Sequence, residues 1–353
     1  YDDNTVQSNI AMLGFKVATN GSLVRYNLVD QSIDEFNDTS GVDASASTNE
    51  SRSSSAPYYY SGVTGSYPTG GASVDTSVSG YRTHVFSANA SLVVSGSGNV
   101  DILVVAGGAS GGSYYAGGGG AGGLIYKATH AVTANTYDAV IGDGGAAQTT
   151  VSTAGNNGVD STWTINGGSQ QFIAKGGGGG GYENTDAAVD GGSGGGQGYS
   201  TAAGGASTQS AQSGDSGTYG FGFAGGVGIG GPNYNTGGGG GAGSVGSAAI
   251  AANSGNGGAG KNYSAIFGTV VGDSGWFASG GGGGETANGN QQEGIASAGG
   301  GTNGASSSET GTSDDSGAGG SGVILVRYAT SAFQTPGANL TLQSTDVTAE
   351  ATP

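Results

Sequence analysis

Two short glycine motifs have spacings that could bind a nucleotide or support proteolysis. Residues 255–261 (GNGGAGK) match the G-x-x-x-x-G-K spacing in which backbone N–H groups cradle phosphates. Asn262 stands where that loop needs Ser or Thr for magnesium, and no alternation of strand and helix surrounds it. Because 70 glycines fall within the 228 residues from Asp101 to Tyr328, such spacings arise by chance. We therefore expect no nucleotide site.

The second motif, GDSG, occurs at 214–217 and 272–275 and matches the segment around a serine nucleophile. A catalytic triad needs a base, and the sequence offers only His84 and His130. Both histidines lie in or beside strand-like segments, which favours structural roles. We therefore expect no catalytic residues and no enzymatic activity.

Acidic residues cluster in two places, at Asp314 and Asp315 and at Glu183, Asp186 and Asp190. Calcium-binding β-helices need a G-G-x-G-x-D repeat, and no glycine block here supplies that aspartate. Solvated loop carboxylates are the plainer interpretation of these clusters. We expect no bound metal and no cofactor.

Aromatic residues concentrate beside the glycine blocks, where they could cap exposed ends of the fold or form a ligand surface. Tyrosine and tryptophan provide much of the energy at recognition sites. From the aromatic and polar composition of these segments we predict six receptor-contacting residues: Tyr182, Glu183, Asn184, Tyr234, Trp276 and Phe277.

The charge of the chain limits its partners. It has 25 acidic and 8 basic residues and a formal net charge of −17, which repels phosphate backbones and anionic bilayers. No segment approaches the ~20 apolar residues of a membrane span, and no charged-then-apolar leader opens the sequence. The absence of cysteine excludes disulfides and Cys-ligated metals. We expect no nucleic acid partner and no membrane insertion.

The glycines must position these residues, and they occur in blocks. Glycine accounts for 81 of 353 residues, against about 7% in ordinary proteins. The blocks are 117–123, 176–181, 191–198, 220–231, 237–243, 255–260, 280–284, 299–301 and 317–322. The 28 aromatic residues and the apolar runs 100–106 and 322–328, which would pair as closing strands, argue against disorder.

Glycine blocks exclude an α-helix, since each Gly costs ~1 kcal/mol relative to Ala, and a glycine strand has no side chains to pack. Collagen needs a G-X-Y period and abundant proline, whereas this region contains only Pro232. The remaining form is polyglycine II, a left-handed helix with ~3 residues per turn. Such helices have no internal hydrogen bonds, so they must bond to neighbours that no Cβ atom keeps at a distance.

Strands are predicted from the alternation of side chains at 81–87, 91–95 and 100–106, the last covered on both faces. Two further pairs are expected, 124–127 with 137–141 and 162–165 with 171–175, the second joined by an Asn-Gly-Gly turn. The predicted fold is all-β plus polyglycine II, with strands flanking a sandwich of packed left-handed helices and essentially no α-helix. The predicted regions are a connector or attachment region (1–60), a glycine-rich domain (61–330) and a carboxy-terminal extension (331–353). Within the domain, 81–175 is β-rich, 107–322 holds the polyglycine II blocks and 322–328 is the closing strand.

Four segments together resemble the glycine-rich domain of bacteriophage tail-fibre and adhesin proteins of the marine type. They are 81–87 (YRTHVFS), 100–112 (VDILVVAGGASGG), 117–126 (GGGGAGGLIY) and 319–328 (GGSGVILVRY), and the stretch 33–49 (IDEFNDTSGVDASASTN) resembles leaders of such domains. The resemblance implies packed polyglycine II helices whose variable loops touch a host receptor. The long amino-terminal region and the β-rich part at 81–175 depart from the pattern, which leaves open a tip adhesin, a fibre shaft or a head fibre.

From the residues and the resemblance together, the expected function is a non-enzymatic virion surface protein, extracellular in location, that displays receptor-binding loops. Its expected partners are a host cell-surface receptor, either a glycan or an outer-membrane protein, and other fibre subunits in a homo-oligomer. The alternative is a self-assembling structural filament or capsid-decorating protein without receptor binding.

Overall fold

The computed structural model describes most of the chain between residues 67 and 333 and several short strands outside it. The described residues are 13–17, 23–27, 32–35, 58–60, 63–64, 67–168, 170–183, 187–284, 298–305, 316–333, 335–336 and 340–342. The chain divides into two compact units. One comprises Tyr1–Gly65 with Gln334–Pro353, and the other comprises Ser66–Phe333.

The first unit contains short antiparallel strands. β1 (Leu13–Val17), β2 (Leu23–Asn27) and β3 (Ser32–Glu35) form a three-stranded meander. β4 (Tyr58–Tyr60) pairs with β20 (Leu340–Leu342), and β5 (Val63–Thr64) pairs with β19 (Thr335–Pro336). Strands from the two ends of the chain therefore pair with each other.

The second unit contains two larger antiparallel sheets. The six-stranded sheet has the order β15-β11-β10-β18-β8-β7, and the five-stranded sheet has the order β14-β13-β12-β9-β6. The strands are β6 (Thr69–Gly70), β7 (Ser73–Asp75), β8 (Tyr81–Phe86), β9 (Ala90–Val94), β10 (Gly98–Val105), β11 (Leu124–Val132), β12 (Asn135–Val140), β13 (Ser161–Ile165), β14 (Gln170–Ala174), β15 (Gly220–Phe221) and β18 (Val323–Ala329).

The other elements of this unit are small. β16 (Lys261–Asn262) pairs with β17 (Trp276–Phe277). The helices are α1 (Asp215–Thr218) and α2 (Ser264–Phe267), each of four residues, with one 3₁₀ turn at Gln209–Ala211. Over the described residues, the prediction of an essentially all-β fold with almost no helix is confirmed.

The closing strands pair as predicted, because β10 lies antiparallel to β18 with Leu103 opposite Leu325. The predicted hairpin of β13 and β14 also forms. The predicted pairing of 124–127 with 137–141 is wrong. β11 pairs with β10 in the six-stranded sheet, and β12 pairs with β9 and β13 in the other. The chain crosses between the sheets after Val132, so strands adjacent in sequence lie in different layers.

An apolar core fills the space between the two sheets. Phe86, Ile102 and Ile324 from the six-stranded sheet join Tyr137 and Trp163 from the five-stranded sheet in one buried cluster. The Trp163 ring stacks on Tyr137 at 5.4 Å between centroids and meets the edge of Phe86 at 6.1 Å. Burial of large rings at this depth contributes several kcal/mol for each residue.

A second cluster covers the opposite face of the six-stranded sheet. Leu103, Val105 and Leu325 pack there with Phe267 of α2 and Phe277 of β17. β10 therefore places Ile102 and Val104 against one core and Leu103 and Val105 against the other. Its predicted burial on both faces is confirmed.

The central strands continue directly into glycine segments. Residues 106–112 follow β10, 117–123 precede β11 and 316–322 precede β18. The N–H groups of 117–123 donate in turn to three neighbouring segments with a period of three. The pairs are Gly117 to Gly181, Gly120 to Gly178 and Gly123 to Lys175; Gly118 to Gly237 and Ala121 to Gly240; and Gly119 to Thr302 and Gly122 to Gly299. Each of the three neighbouring segments thus accepts hydrogen bonds from every third N–H group of 117–123.

Close approach of these segments explains the demand for glycine. A Cβ atom at Gly117 would overlap the carbonyl oxygen of Gly196, and one at Gly179 would overlap that of Gly155. Ala121 is tolerated because its methyl group faces the second apolar cluster, with Leu124 and Phe277. Within 117–123, the one residue that carries a side chain therefore points into an apolar cluster.

Candidate binding surface at the distal end

The glycine segments have one end at the sheets and one end far from them. Segments 106–112 and 117–123 run antiparallel as a glycine hairpin, with N–H to carbonyl bonds from Ala106 to Gly123, Ala109 to Gly120 and Gly112 to Gly117. Because both segments join the sheet through β10 and β11, the turn at 113–116 lies away from it. We call the turns on this side, with the described residues 113–116, 182–183, 187–188, 199–203 and 230–235, the distal end.

Five tyrosines meet at the distal end, and we call them the distal tyrosine cluster: Tyr114, Tyr115, Tyr182, Tyr199 and Tyr234. Ring centroids lie 4.6 Å apart for Tyr114 and Tyr115 and 5.1 Å apart for Tyr199 and Tyr234, in edge-to-face contacts. Tyr115 also contacts Tyr199 at 5.6 Å and Tyr234 at 5.8 Å. Four separate turns therefore supply one continuous aromatic cluster, in which Tyr182 is buried, Tyr114, Tyr115 and Tyr199 are half-buried and Tyr234 is exposed.

The backbone at this cluster is strained. Tyr114, Tyr115 and Tyr234 have φ values of 59°, 45° and 52°, and neighbouring Glu183 and Ser152 have 43° and 63°. Left-handed backbone is uncommon in residues other than glycine and costs about 1 kcal/mol or more for each residue. Left-handed residues of this kind persist where the surrounding structure holds them, here the hydrogen-bonded glycine segments, and they cluster at functional sites.

Among the described residues of the distal end, the Glu183 carboxylate acts on the pKa of both Tyr182 and Tyr199. Burial, reinforced by hydrogen bonding with Glu183 and by its charge, raises the pKa of Tyr199 to about 12. Burial also raises the pKa of Tyr182, which a hydrogen bond with Ser152 opposes. The phenols are therefore neutral at physiological pH and can donate.

Buried amides fix the turns that carry these side chains. Gln197, which is 1% exposed, donates through Nε2 to the Glu183 carbonyl at 3.1 Å and accepts from Ala188 N–H at 2.9 Å. Asn235 donates through its side-chain Nδ2 to the carbonyl of Ile250 at 2.7 Å. The backbone carbonyl of Asn235 accepts from Ile229 N–H at 2.7 Å. The surface is preorganised by the protein interior beneath it.

A family model described as a glycine-rich domain matches residues 83–329. The chain belongs to this glycine-rich domain family. The match begins in β8 and ends in β18, which are hydrogen-bonded neighbours, so it includes all the glycine segments and most strands of both large sheets, with only the short β6 and β7 lying before it. No curated protein matches the chain significantly.

The glycine-rich domain brings together three of the six predicted contact residues. Tyr182, Glu183 and Tyr234 lie at the distal end, where Tyr234 is 42% exposed. Asn184 lies outside the described residues. The other two residues form β17, beside β16 and α2 at the sheet end of the segments.

Within β17, the two predicted residues point in opposite directions. Trp276 is 40% exposed, whereas Phe277 is fully buried in the second apolar cluster. Strand alternation explains the difference, since consecutive residues face opposite sides. Phe277 is thus a core residue and not a surface contact, and Trp276 belongs to a different surface from the tyrosines.

Sequence reasoning did not select three members of the distal tyrosine cluster. Tyr114 and Tyr115 immediately precede the block at 117–123, and Tyr199 directly follows the block at 191–198. The available signal was a tyrosine within three residues of a block, although some of these tyrosines precede their block and others follow it. Using it requires the direction of each block, which depends on hydrogen-bond partners far away in sequence.

The nucleotide and protease motifs have structural partners in the glycine-rich domain. In the first, Gly255 and Gly258 donate their N–H groups to Thr236 and Gly239, and the Lys261 ammonium lies 3.9 Å from the Phe221 ring centroid. In the second, Ser216 is buried and its hydroxyl accepts from Ile173 N–H. The N–H groups, the Lys261 ammonium and the Ser216 hydroxyl therefore make contacts that stabilise the fold.

Both histidines are buried and bonded. His84 contacts the Gly70 carbonyl through Nδ1 at 2.7 Å and the Tyr328 hydroxyl through Nε2 at 3.0 Å. His130 contacts the Gln171 side chain at 3.3 Å. Within the described part of the chain there is no group of three His, Cys, Asp or Glu side chains that could hold a metal ion. No described helix is long and apolar enough to cross a membrane.

Proposed function

We propose that this glycine-rich domain protein is a non-enzymatic adhesive protein of a virion surface that attaches to its host through the distal end. The observation that carries the proposal is the cluster of five tyrosines assembled on strained backbone by four separate turns. Tyrosine provides large contact area with few rotatable bonds, which limits the entropy lost on binding.

The scaffold in this proposal is a lattice of polyglycine II helices. The period of three in the N–H donors of 117–123 supports it, because a helix with ~3 residues per turn presents every third residue to one neighbour. The next segment shows the same period, since Gly177 and Gly180 donate to Gly107 and Ser110. The overlap that Cβ atoms would cause also fits such packing.

A rigid lattice suits adhesion because the binding energy is not spent on ordering the surface. Loops on rigid scaffolds are where proteins commonly place binding residues. The resemblance of 81–87, 100–112, 117–126 and 319–328 to tail-fibre and adhesin proteins favours a virion location and a bacterial host. We propose that further fibre subunits complete the assembly.

Adsorption of the purified full chain to bacterial cells tests the function. A fluorescent form of the chain is incubated with a panel of marine bacterial strains and its mass in solution is measured in parallel. We expect a discrete oligomer that adsorbs to at least one strain. Tyr234→Ala should reduce adsorption, whereas Tyr219→Ala, at a tyrosine of similar exposure near the sheets, should not.

Two outcomes would contradict the proposal. Concentration-dependent polymerisation without adsorption would favour a structural filament. Adsorption that is equal for wild type, Tyr234→Ala and Tyr219→Ala would remove the distal end from attachment. Circular dichroism of each variant confirms that the fold is retained.

A further inference from the structure

The distal end lacks positive charge among its described residues. Two described cations, Lys16 and Arg25, belong to β1 and β2 of the first unit. The five described cations of the unit Ser66–Phe333 are Arg82, Lys127, Lys175, Lys261 and Arg327, which lie in or directly beside the strands. Each also has a local partner there. Arg327 pairs with Asp101 at 2.9 Å, Lys127 with Asp215 and Lys175 with Asp160, while Arg82 and Lys261 lie over the rings of Tyr67 and Phe221.

This distribution disfavours an anionic ligand at the distal end. A phosphate or carboxylate group would meet the Glu183 carboxylate with no described cation among the turns of the distal end to offset it, in a chain of net charge −17. Like charges brought together on binding cost affinity and slow association. The ligand chemistry that remains is neutral or cationic.

The ring arrangement favours a neutral ligand over a cationic one. A cage for a cation needs several open ring faces around one point. Here the edges of the rings pack against neighbouring faces, as between Tyr114 and Tyr115, Tyr115 and Tyr199, and Tyr199 and Tyr234. Tyr234, the most exposed ring, offers a single surface instead of a cage.

A pyranose sugar matches these features. One face of the sugar ring carries C–H groups that pack on an aromatic face, and its rim carries hydroxyl groups that donate to a carboxylate. Tyr199 links the two elements in this structure, since its ring contacts Tyr234 at 5.1 Å between centroids and the Glu183 charge contributes to its raised pKa.

We infer that the distal tyrosine cluster binds an uncharged carbohydrate, with a pyranose ring on Tyr234 and a sugar hydroxyl donating to Glu183. The inference rests on the proposed adhesive function and names the class of receptor that the function would use. It selects a glycan over an outer-membrane protein.

Selective damage to the cell surface tests the inference on a strain that adsorbs the full chain. Periodate oxidises the vicinal hydroxyl groups of surface glycans, whereas proteinase K digests exposed proteins. We expect periodate to abolish adsorption and proteinase K to leave it unchanged. Loss after proteinase K alone would overturn the carbohydrate inference and leave the adhesive function standing. Failure to adsorb to any strain would instead count against the adhesive function.

An array of neutral, acidic and amino-sugar oligosaccharides tests the chemistry directly. We expect binding to neutral members, with little change between low and high salt because no charge pair is formed. Tyr234→Ala and Glu183→Gln should each weaken binding about tenfold, the scale of a residue that contributes more than 1 kcal/mol. Tyr219→Ala is the matched control. Binding restricted to acidic or amino sugars, or no binding to any member, would overturn the inference.

Discussion

Tyr199 joins the aromatic and charged parts of the distal end, and its ionisation reports on both. Its pKa of about 12 arises first from burial and then from the Glu183 carboxylate. We predict that Glu183→Gln lowers this pKa towards the ordinary value of about 10 without reaching it, because the burial remains. Absorbance titration of tyrosine between pH 9 and pH 13 measures the change, with Tyr199→Phe identifying the transition. An unchanged titration would remove Glu183 from the cluster.

The same shift has a consequence for stability. A tyrosine whose pKa is raised in the folded state adds stability that is present below its unfolded value of about 10 and lost as pH rises through its folded value. For Tyr199 that window extends from about pH 10 to about pH 12. Tyr199→Phe, which cannot ionise, should lose less stability than wild type over this range.

At the scale of an element, the glycine segments can pack closely because most of their interior positions carry no side chain. We predict that Gly179→Ala lowers the free energy of unfolding by several kcal/mol, because its Cβ would overlap the Gly155 carbonyl oxygen inside a packed lattice. Thermal and urea unfolding measure the change. Gly230→Ala is the control, since an added Cβ there has no neighbour within 4 Å. Equal stability of the two variants would contradict a close-packed lattice.

The sequence predicts where the glycine segments lie but not which of them are neighbours. Side chains normally specify pairing, and residues such as Gly177 to Gly180 have none to distinguish one partner from another. The lattice also uses acceptors that composition does not reveal. The side chains of Asn157 and Asp160 accept N–H groups of Gly179 and Gly176, three residues apart, in place of backbone carbonyls.

For the candidate site as well, the sequence predicts suitable residues but not which of them lie together. The sequence identified Tyr182, Glu183 and Tyr234 from local composition, and the structure places them together. Trp276 and Phe277 had equally suitable composition but lie at the opposite end of the segments. Telling the two groups apart requires the direction of each segment, which non-local hydrogen bonds determine. β8, β9, β10 and β18, by contrast, were predictable because alternating side chains and apolar runs are encoded locally.

At the scale of the molecule, the sheets and the glycine segments are packed in different ways but are connected by strands that run from one into the other. The sheets are held by the apolar core around Trp163, and the glycine segments by backbone hydrogen bonds with few side chains. β10, β11 and β18 pass from one into the other without a break. The second apolar cluster also spans the junction, since it contains both Leu103 and Ala121.

This continuity implies that the sheets and the lattice unfold as one unit, which amide hydrogen exchange can test. Ile324→Val removes one buried methylene from the core and should cost about 1 kcal/mol. If unfolding is cooperative, the amides of 117–123 exchange about fivefold faster, as do those of β10, although Ile324 lies in the sheet. Val245→Ala, at a side chain that is 58% exposed, should change neither group. Faster exchange confined to β10 and its sheet neighbours would instead make the lattice an independent unit, stable on its backbone hydrogen bonds alone.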